Sequence, residues 1–210
     1  MDQVGPGPFN MPEDDAGTQN QSAPWGLSLF SVKALLVAFV FGLAALVLVI
    51  AGLTIPIPGT GVVTDPREIF TTTGAALTGP VGGVLIGVLA GIREPGGVVY
   101  ASLLAHIAGG LWMGLAYKKL VYRHLDMPVI CGGWIVLVLV YYYAFVIPGF
   151  VIGQSLFYPQ GFTESYGAGT SLARAYAILG RGALPEALLT TLVTTLVFIA
   201  SPRRLRRPLW

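Results

Sequence analysis

Apolar residues along this chain fall into long continuous runs, at residues 29–53, 69–92, 98–117 and 129–153, with a fifth at 184–200. Each of the four longer runs meets the requirement of about 20 residues for crossing a hydrocarbon core of about 30 Å. The runs are unbroken and lack period-two alternation, so they do not match the signature of an outer-membrane barrel. The pattern predicts an all-α membrane protein, a bundle of about six transmembrane helices, two of them short.

The two short helices come from the run at 69–92, which is interrupted by "TGP". Pro80 has no amide hydrogen and turns the preceding residue away from helical geometry. The run therefore divides into helices of about Pro66–Leu77 and Pro80–Ile92, with a single kinked span as the alternative. Charge separates the two. Under the positive-inside rule "YKKLVYRH" (117–124) and the closing "RRLRR" mark cytoplasmic ends. Helix 98–122 then runs inward, 129–150 outward and 184–201 inward, which leaves Arg93 outside. A hairpin at 66–92 places Lys33 and the amino terminus inside, whereas one span places them outside. The hairpin is preferred, giving a multi-pass protein of the plasma (inner) membrane with both termini cytoplasmic.

Small residues recur every four positions in two of these helices: Gly79, Gly83, Gly87 and Gly91, and Ala34, Ala38 and Gly42. Each glycine costs a helix in water about 1 kcal/mol relative to alanine. In a bilayer, however, helices associate through close backbone contact, which small residues permit. Two roles fit the stripes: packing within this chain, or a surface for a partner or moving element.

Composition agrees with the membrane reading. The chain is 54% hydrophobic and 10% charged, against about 25% charged in a soluble domain. Residues 1–26 hold acidic but no basic side chains and read as a flexible polar tail; 27–202 form the helical membrane domain; 203–210 form a basic cytoplasmic tail. That tail is too short for a nucleic-acid module. Cys131 is the sole cysteine, so no disulfide forms within the chain, and no Cys/His cluster has metal spacing. No cofactor and no cleavable signal peptide are expected. Tyr141, Tyr142 and Tyr143 suit a membrane-interface belt, and "TSLARAYAIL" suits a short surface helix in an outer loop. The last helix is expected to open with Pro185 and Glu186 in its first turn, its Thr190, Thr191, Thr194 and Thr195 stripe facing protein.

This topology gathers Asp65, Arg67, Glu68, Arg93, Glu94, Glu164 and Arg174 at an outer mouth, with Tyr100, Gln154 and Tyr166 nearby. Ionisable groups at membrane depth are costly, and those facing a cavity are functional candidates. The planar fork of Arg67 or Arg93 would grip an anionic part of a ligand; pairing of Asp65 with Arg93, or of Glu68 with Arg67, to pin loops is the alternative. His106 and Ser102 share one helix face. His106 fits a packing residue with a hydrogen bond, a ligand contact or, least of all, a catalyst. Trp112 and Trp134 read as lipid-facing or packing aromatics. No nucleophile, base and oxyanion site can be assembled, so no enzyme is expected.

The stretch "TDPREIFTTTGAALTGPVGGVLIGVLAGI" resembles the membrane-embedded S components of energy-coupling factor (ECF) transporters. "TDPREI" through "LTGPVGGVLIGVLAGIREPGG" is also similar to the five-transmembrane domain of LytS-type sensor kinases. The likeness covers about residues 29–125. It implies a six-helix subunit that captures a vitamin or other micronutrient from outside. Energy would come from a transmembrane coupling protein and ATPase subunits, since "GTG" at 59–61 lacks the lysine of a phosphate loop. In S components a small-residue stripe on helix 1 meets the coupling protein, which implies that role for Ala34 and Ala38; Gly42, Gly83, Gly87 and Gly91 would extend the contact. The chain reads as lacking the signalling domain of the sensor kinases. An accessory subunit of a larger membrane complex and a sensor-like regulator are the other functions considered.

Overall fold

The computed structural model describes residues 31–56, 63–93, 97–124 and 126–210. The acidic tail and Glu94 therefore lie outside the described residues. Among the described residues seven helices follow in order: α1 (Val32–Ile50), α2 (Arg67–Gly91), α3 (Val98–Tyr117), α4 (Met127–Val140), α5 (Ile147–Phe157), α6 (Pro159–Tyr166) and α7 (Leu172–Ala200). A π-helical turn, Lys118–Tyr122, prolongs α3, and a second, Tyr141–Val146, joins α4 to α5. Between α1 and α2, Ile55–Pro56 pairs antiparallel with Val63–Thr64. Five helical stretches are long and apolar enough to cross a membrane, with α4 and α5 counted as one.

The second of these, α2, is not straight. Gly79 has φ 81° and ψ −173°, a conformation open essentially to glycine alone, and Pro80 follows it. Arg67 Nη1 donates to the Ala90 carbonyl at 3.1 Å, whereas on a continuous helix the 23 residues between them would span about 35 Å. The halves thus fold back on one another as a hairpin, each about twelve residues or roughly 18 Å long. That is short of the core thickness of about 30 Å. Of the about six helices expected, the two short ones around Gly79–Pro80 form, among the described residues, one hairpin beside four longer helical passages.

The hairpin sits at the centre of the bundle, and its glycines explain how. A methyl added at Gly83 would collide with the Gly110 carbonyl, and one at Gly87 with the His106 carbonyl; at Gly91 it would lie 2.9 Å from Leu103 Cα. The second half of α2 therefore runs antiparallel to α3 with backbones in contact, the close approach that small residues make available in lipid. On the other side Ala34, Ala38, Gly42 and Ala45 of α1 are buried, with Leu89 against Gly42 and Ala38 against Gly82. Both small-residue stripes are filled by the chain's own helices. The opposite face of α1, with Val32, Leu36, Val40, Val47 and Ile50, is exposed, as a lipid-facing surface would be.

At the basic end of the bundle an aromatic cluster joins α3, α4 and α7. Trp134 stacks on Phe198 (ring centroids 4.8 Å apart), and Tyr117 meets both edge-on. Trp134 Nε1 donates to Thr194 Oγ1 at 3.1 Å. Thr190, Thr191 and Thr194 are buried, so the threonine stripe faces protein. The closing segment does not extend away as a tail. Leu209 N–H bonds the Leu77 carbonyl at 2.9 Å, the Tyr117 hydroxyl donates to the Arg206 carbonyl at 2.7 Å, and the Trp210 ring fills the space beside Gly79 beneath Lys118.

Two expectations change in the second half of the chain. Leu172–Ala200 is one helix, capped by the Ser171 side chain and running through Pro185. The short surface helix and the last span are thus continuous, and Glu186 lies well inside the helix rather than in its first turn. Tyr141 and Tyr142 are buried, at 0% and 2% exposure, and not an interfacial belt. In an α-helix successive side chains diverge by about 100°; the wider i→i+5 winding of the π-helical turn lessens that angle. Three consecutive tyrosines can therefore all reach protein partners.

Candidate functional site

The turn before α2 begins a polar network that runs into the bundle. Asp65 Oδ1 accepts the Arg67 backbone N–H at 2.9 Å, and Asp65 Oδ2 lies 2.8 Å from Arg67 Nε, so the pair locks the first turn of the hairpin. With its Nη1 on Ala90, Arg67 also ties the two hairpin bases together.

Glu68, one residue on, is 3% exposed and points to α3 and the π-helical turn. Its Oε1 is 2.8 Å from His106 Nε2 and its Oε2 accepts from the Tyr141 hydroxyl. His106 Nδ1 is 2.7 Å from the Ser102 carbonyl, so Nδ1 must carry a hydrogen. Nε2 then faces a carboxylate oxygen, and a proton has to lie between them on one side or the other. The Glu68–His106 unit is electrically neutral in either arrangement.

Beside this network is a cavity of about 140 Å³. Arg67, Glu68, His106, Tyr142 and Glu186 form its polar wall, and Val146, Ile147, Phe150, Leu179 and Ala183 its apolar wall. The Tyr142 hydroxyl donates to Glu186 Oε1 at 3.2 Å and lies 3.0 Å from Thr190 Oγ1. An apolar wall facing a few convergent polar groups makes this cavity the candidate small-molecule site of the described residues. Among the described residues no group of three or more His, Cys, Asp or Glu is placed to hold a metal.

Of the residues predicted for an outer mouth, Arg67 and Glu68 line the cavity and Asp65 supports it; His106, considered separately as a packing residue or ligand contact, lines it too. The others are elsewhere. Arg93 and Arg174 are exposed; Glu164 is exposed on α6, accepting from Gln160 Nε2 at 3.1 Å. Tyr100 is 57% exposed, its ring against Phe157, and Tyr166 packs on Phe162. Gln154 is buried, its Oε1 without a hydrogen-bond partner among the described residues, but it is not part of the cavity lining. Of the two arginines expected to grip an anion, Arg93 is exposed and not part of the cavity lining, and Arg67 lines it but is held by Asp65 and Ala90.

Tyr141, Tyr142 and Glu186 complete the site and were not expected there. A tyrosine run is an ambiguous signal, but a carboxylate inside a run as apolar as 183–200 is a warning that something polar faces it.

The chain matches no protein-family model, no curated protein and no solved structure.

Proposed function

We propose that this protein is a membrane-embedded capture subunit that holds a small organic molecule between the α2 hairpin, α3, α5 and α7. The single observation supporting this reading is the cavity whose polar wall is Arg67, Glu68, His106, Tyr142 and Glu186 and whose other wall is apolar. Such side chains are costly at membrane depth and mark ligand or ion pathways. With the basic end cytoplasmic under the positive-inside rule, the cavity, nearer the opposite end, opens toward the outside of the plasma (inner) membrane. The sequence resemblance to S components supplies a setting, in which a coupling protein and ATPase subunits drive uptake of what the subunit has bound.

One observation favours a second reading, a sensor-like regulator that binds without transporting. The stripes that would meet a coupling protein, Ala34, Ala38 and Gly42 with Gly83, Gly87 and Gly91, are buried inside the chain. Mild-detergent purification from native membranes separates the two. Co-purified ATPase and coupling subunits are expected for a capture subunit, and a signalling protein for a regulator. Native mass spectrometry of the same sample reads any retained small molecule. A preparation with neither bound molecule nor ligand-dependent change in melting across a micronutrient panel would sink both readings, since occupancy must raise apparent stability.

A further inference from the structure

Asp65, Arg67, Glu68 and His106 form one linked chain of opposite charges beside the cavity. Asp65 is matched by Arg67, and Glu68 by His106 and their intervening proton. Glu186 is left over. Its Oε1 accepts from Tyr142, and among the described residues no lysine, arginine or histidine lies within 4 Å of it. A carboxylate has about four acceptor sites, so Glu186 retains capacity for a donor arriving from the cavity.

Three classes of occupant can be compared. An anion would find Arg67 already engaged by Asp65 and His106 by Glu68. An inorganic cation such as calcium requires six to eight oxygens, which half of this lining, being Val146, Ile147, Phe150, Leu179 and Ala183, does not supply. An organic cation satisfies both halves: its ammonium hydrogens meet Glu186, and its apolar body meets the aliphatic wall and the Phe150 ring.

Resting on the reading of the cavity as a ligand site, we propose that its ligand is a compact organic cation, a protonated amine seated on Glu186. The volume of about 140 Å³ sets the size. A cavity of about 150 Å³ accepts benzene, so the occupant has roughly six to ten non-hydrogen atoms.

The test uses the full chain in a zwitterionic detergent at neutral pH, with benzylamine, benzyl alcohol and benzoate as probes of one shape and three charges. Benzylamine is expected to raise the melting temperature in a concentration-dependent way, with at least tenfold tighter binding by calorimetry than either of the others. Glu186→Gln is expected to lose at least tenfold in benzylamine affinity. Should that variant fail to fold, the three-probe comparison on the unaltered protein still decides. Equal or tighter binding of benzoate or benzyl alcohol overturns the cationic class while leaving the cavity a ligand site. Unchanged benzylamine binding by a folded Glu186→Gln overturns the seat on Glu186. Absence of binding by all three probes overturns the proposal, and a blank micronutrient panel in the same assay then removes the capture reading as well.

Discussion

Glu68 Oε1 and His106 Nε2, 38 residues apart in sequence, lie 2.8 Å apart in the interior, and their contact joins the hairpin to α3. Removing one partner strands the other. His106→Leu is expected to destabilise the protein by about 3–5 kcal/mol, the range for breaking one side of a buried charged pair. The double replacement Glu68→Leu/His106→Leu should cost less than the sum of the singles. Denaturation in detergent measures both; additivity within about 0.5 kcal/mol would show that the two side chains do not interact.

Tyr141 donates to the other oxygen of Glu68. Tyr141→Phe preserves the ring and deletes only the hydroxyl, at an expected cost of about 1.5–3 kcal/mol for a hydrogen bond to a charged group. An unchanged denaturation midpoint in Tyr141→Phe would place that hydroxyl elsewhere.

The α2–α3 contact is backbone on backbone at Gly83 and Gly110. Gly83→Leu should prevent the close approach and yield little folded protein by size-exclusion chromatography. Gly132→Ala, where an added methyl meets nothing within 4 Å, should be neutral or slightly stabilising, since alanine is the better helix former by about 1 kcal/mol. Equal losses in both variants would indicate that glycine content, rather than this contact, matters.

Gly79 combines a positive φ with direct contact to the Trp210 ring. Gly79→Ala imposes backbone strain of order 1–3 kcal/mol and a clash with an aromatic ring. Trp210→Ala introduces no clash but empties the space beneath the hairpin, at about 3–5 kcal/mol if the site cannot collapse. The melting temperature should fall in each variant. Proteolysis of the closing segment should speed up in Trp210→Ala, and a rate equal to that of the parent chain would contradict its docking.

The hairpin was readable from the sequence because its signals are simple: glycine then proline inside an apolar run, and basic residues at Lys33, 117–124 and the closing arginines that fall on one side only if the chain turns back. Arg67 and Glu68 are neighbours in sequence and were expected together; that His106 of α3 joins them depends on how the hairpin packs on α3, which the sequence reading treated separately. Depth was not readable. Arg93, Glu164 and Arg174 share an end of the chain's expected topology with Arg67, yet they are exposed while Arg67 is drawn inward by Asp65 and Ala90. Glu186 was misplaced because proline followed by glutamate is a sound helix-start signal, and only tertiary packing lets α7 continue through Pro185. The tyrosines were misread because their direction depends on a local change of helical winding, which a hydropathy pattern does not register.

The bond from Leu209 N–H to the Leu77 carbonyl, with Trp210 against Gly79, fixes when folding can finish. Between making the hairpin tip and making its lid, a ribosome working at about 5–20 residues per second needs roughly 7–26 s. Throughout that interval the tip waits uncovered in a half-built bundle, and it is closed only once Leu209 and Trp210 have been made and can dock.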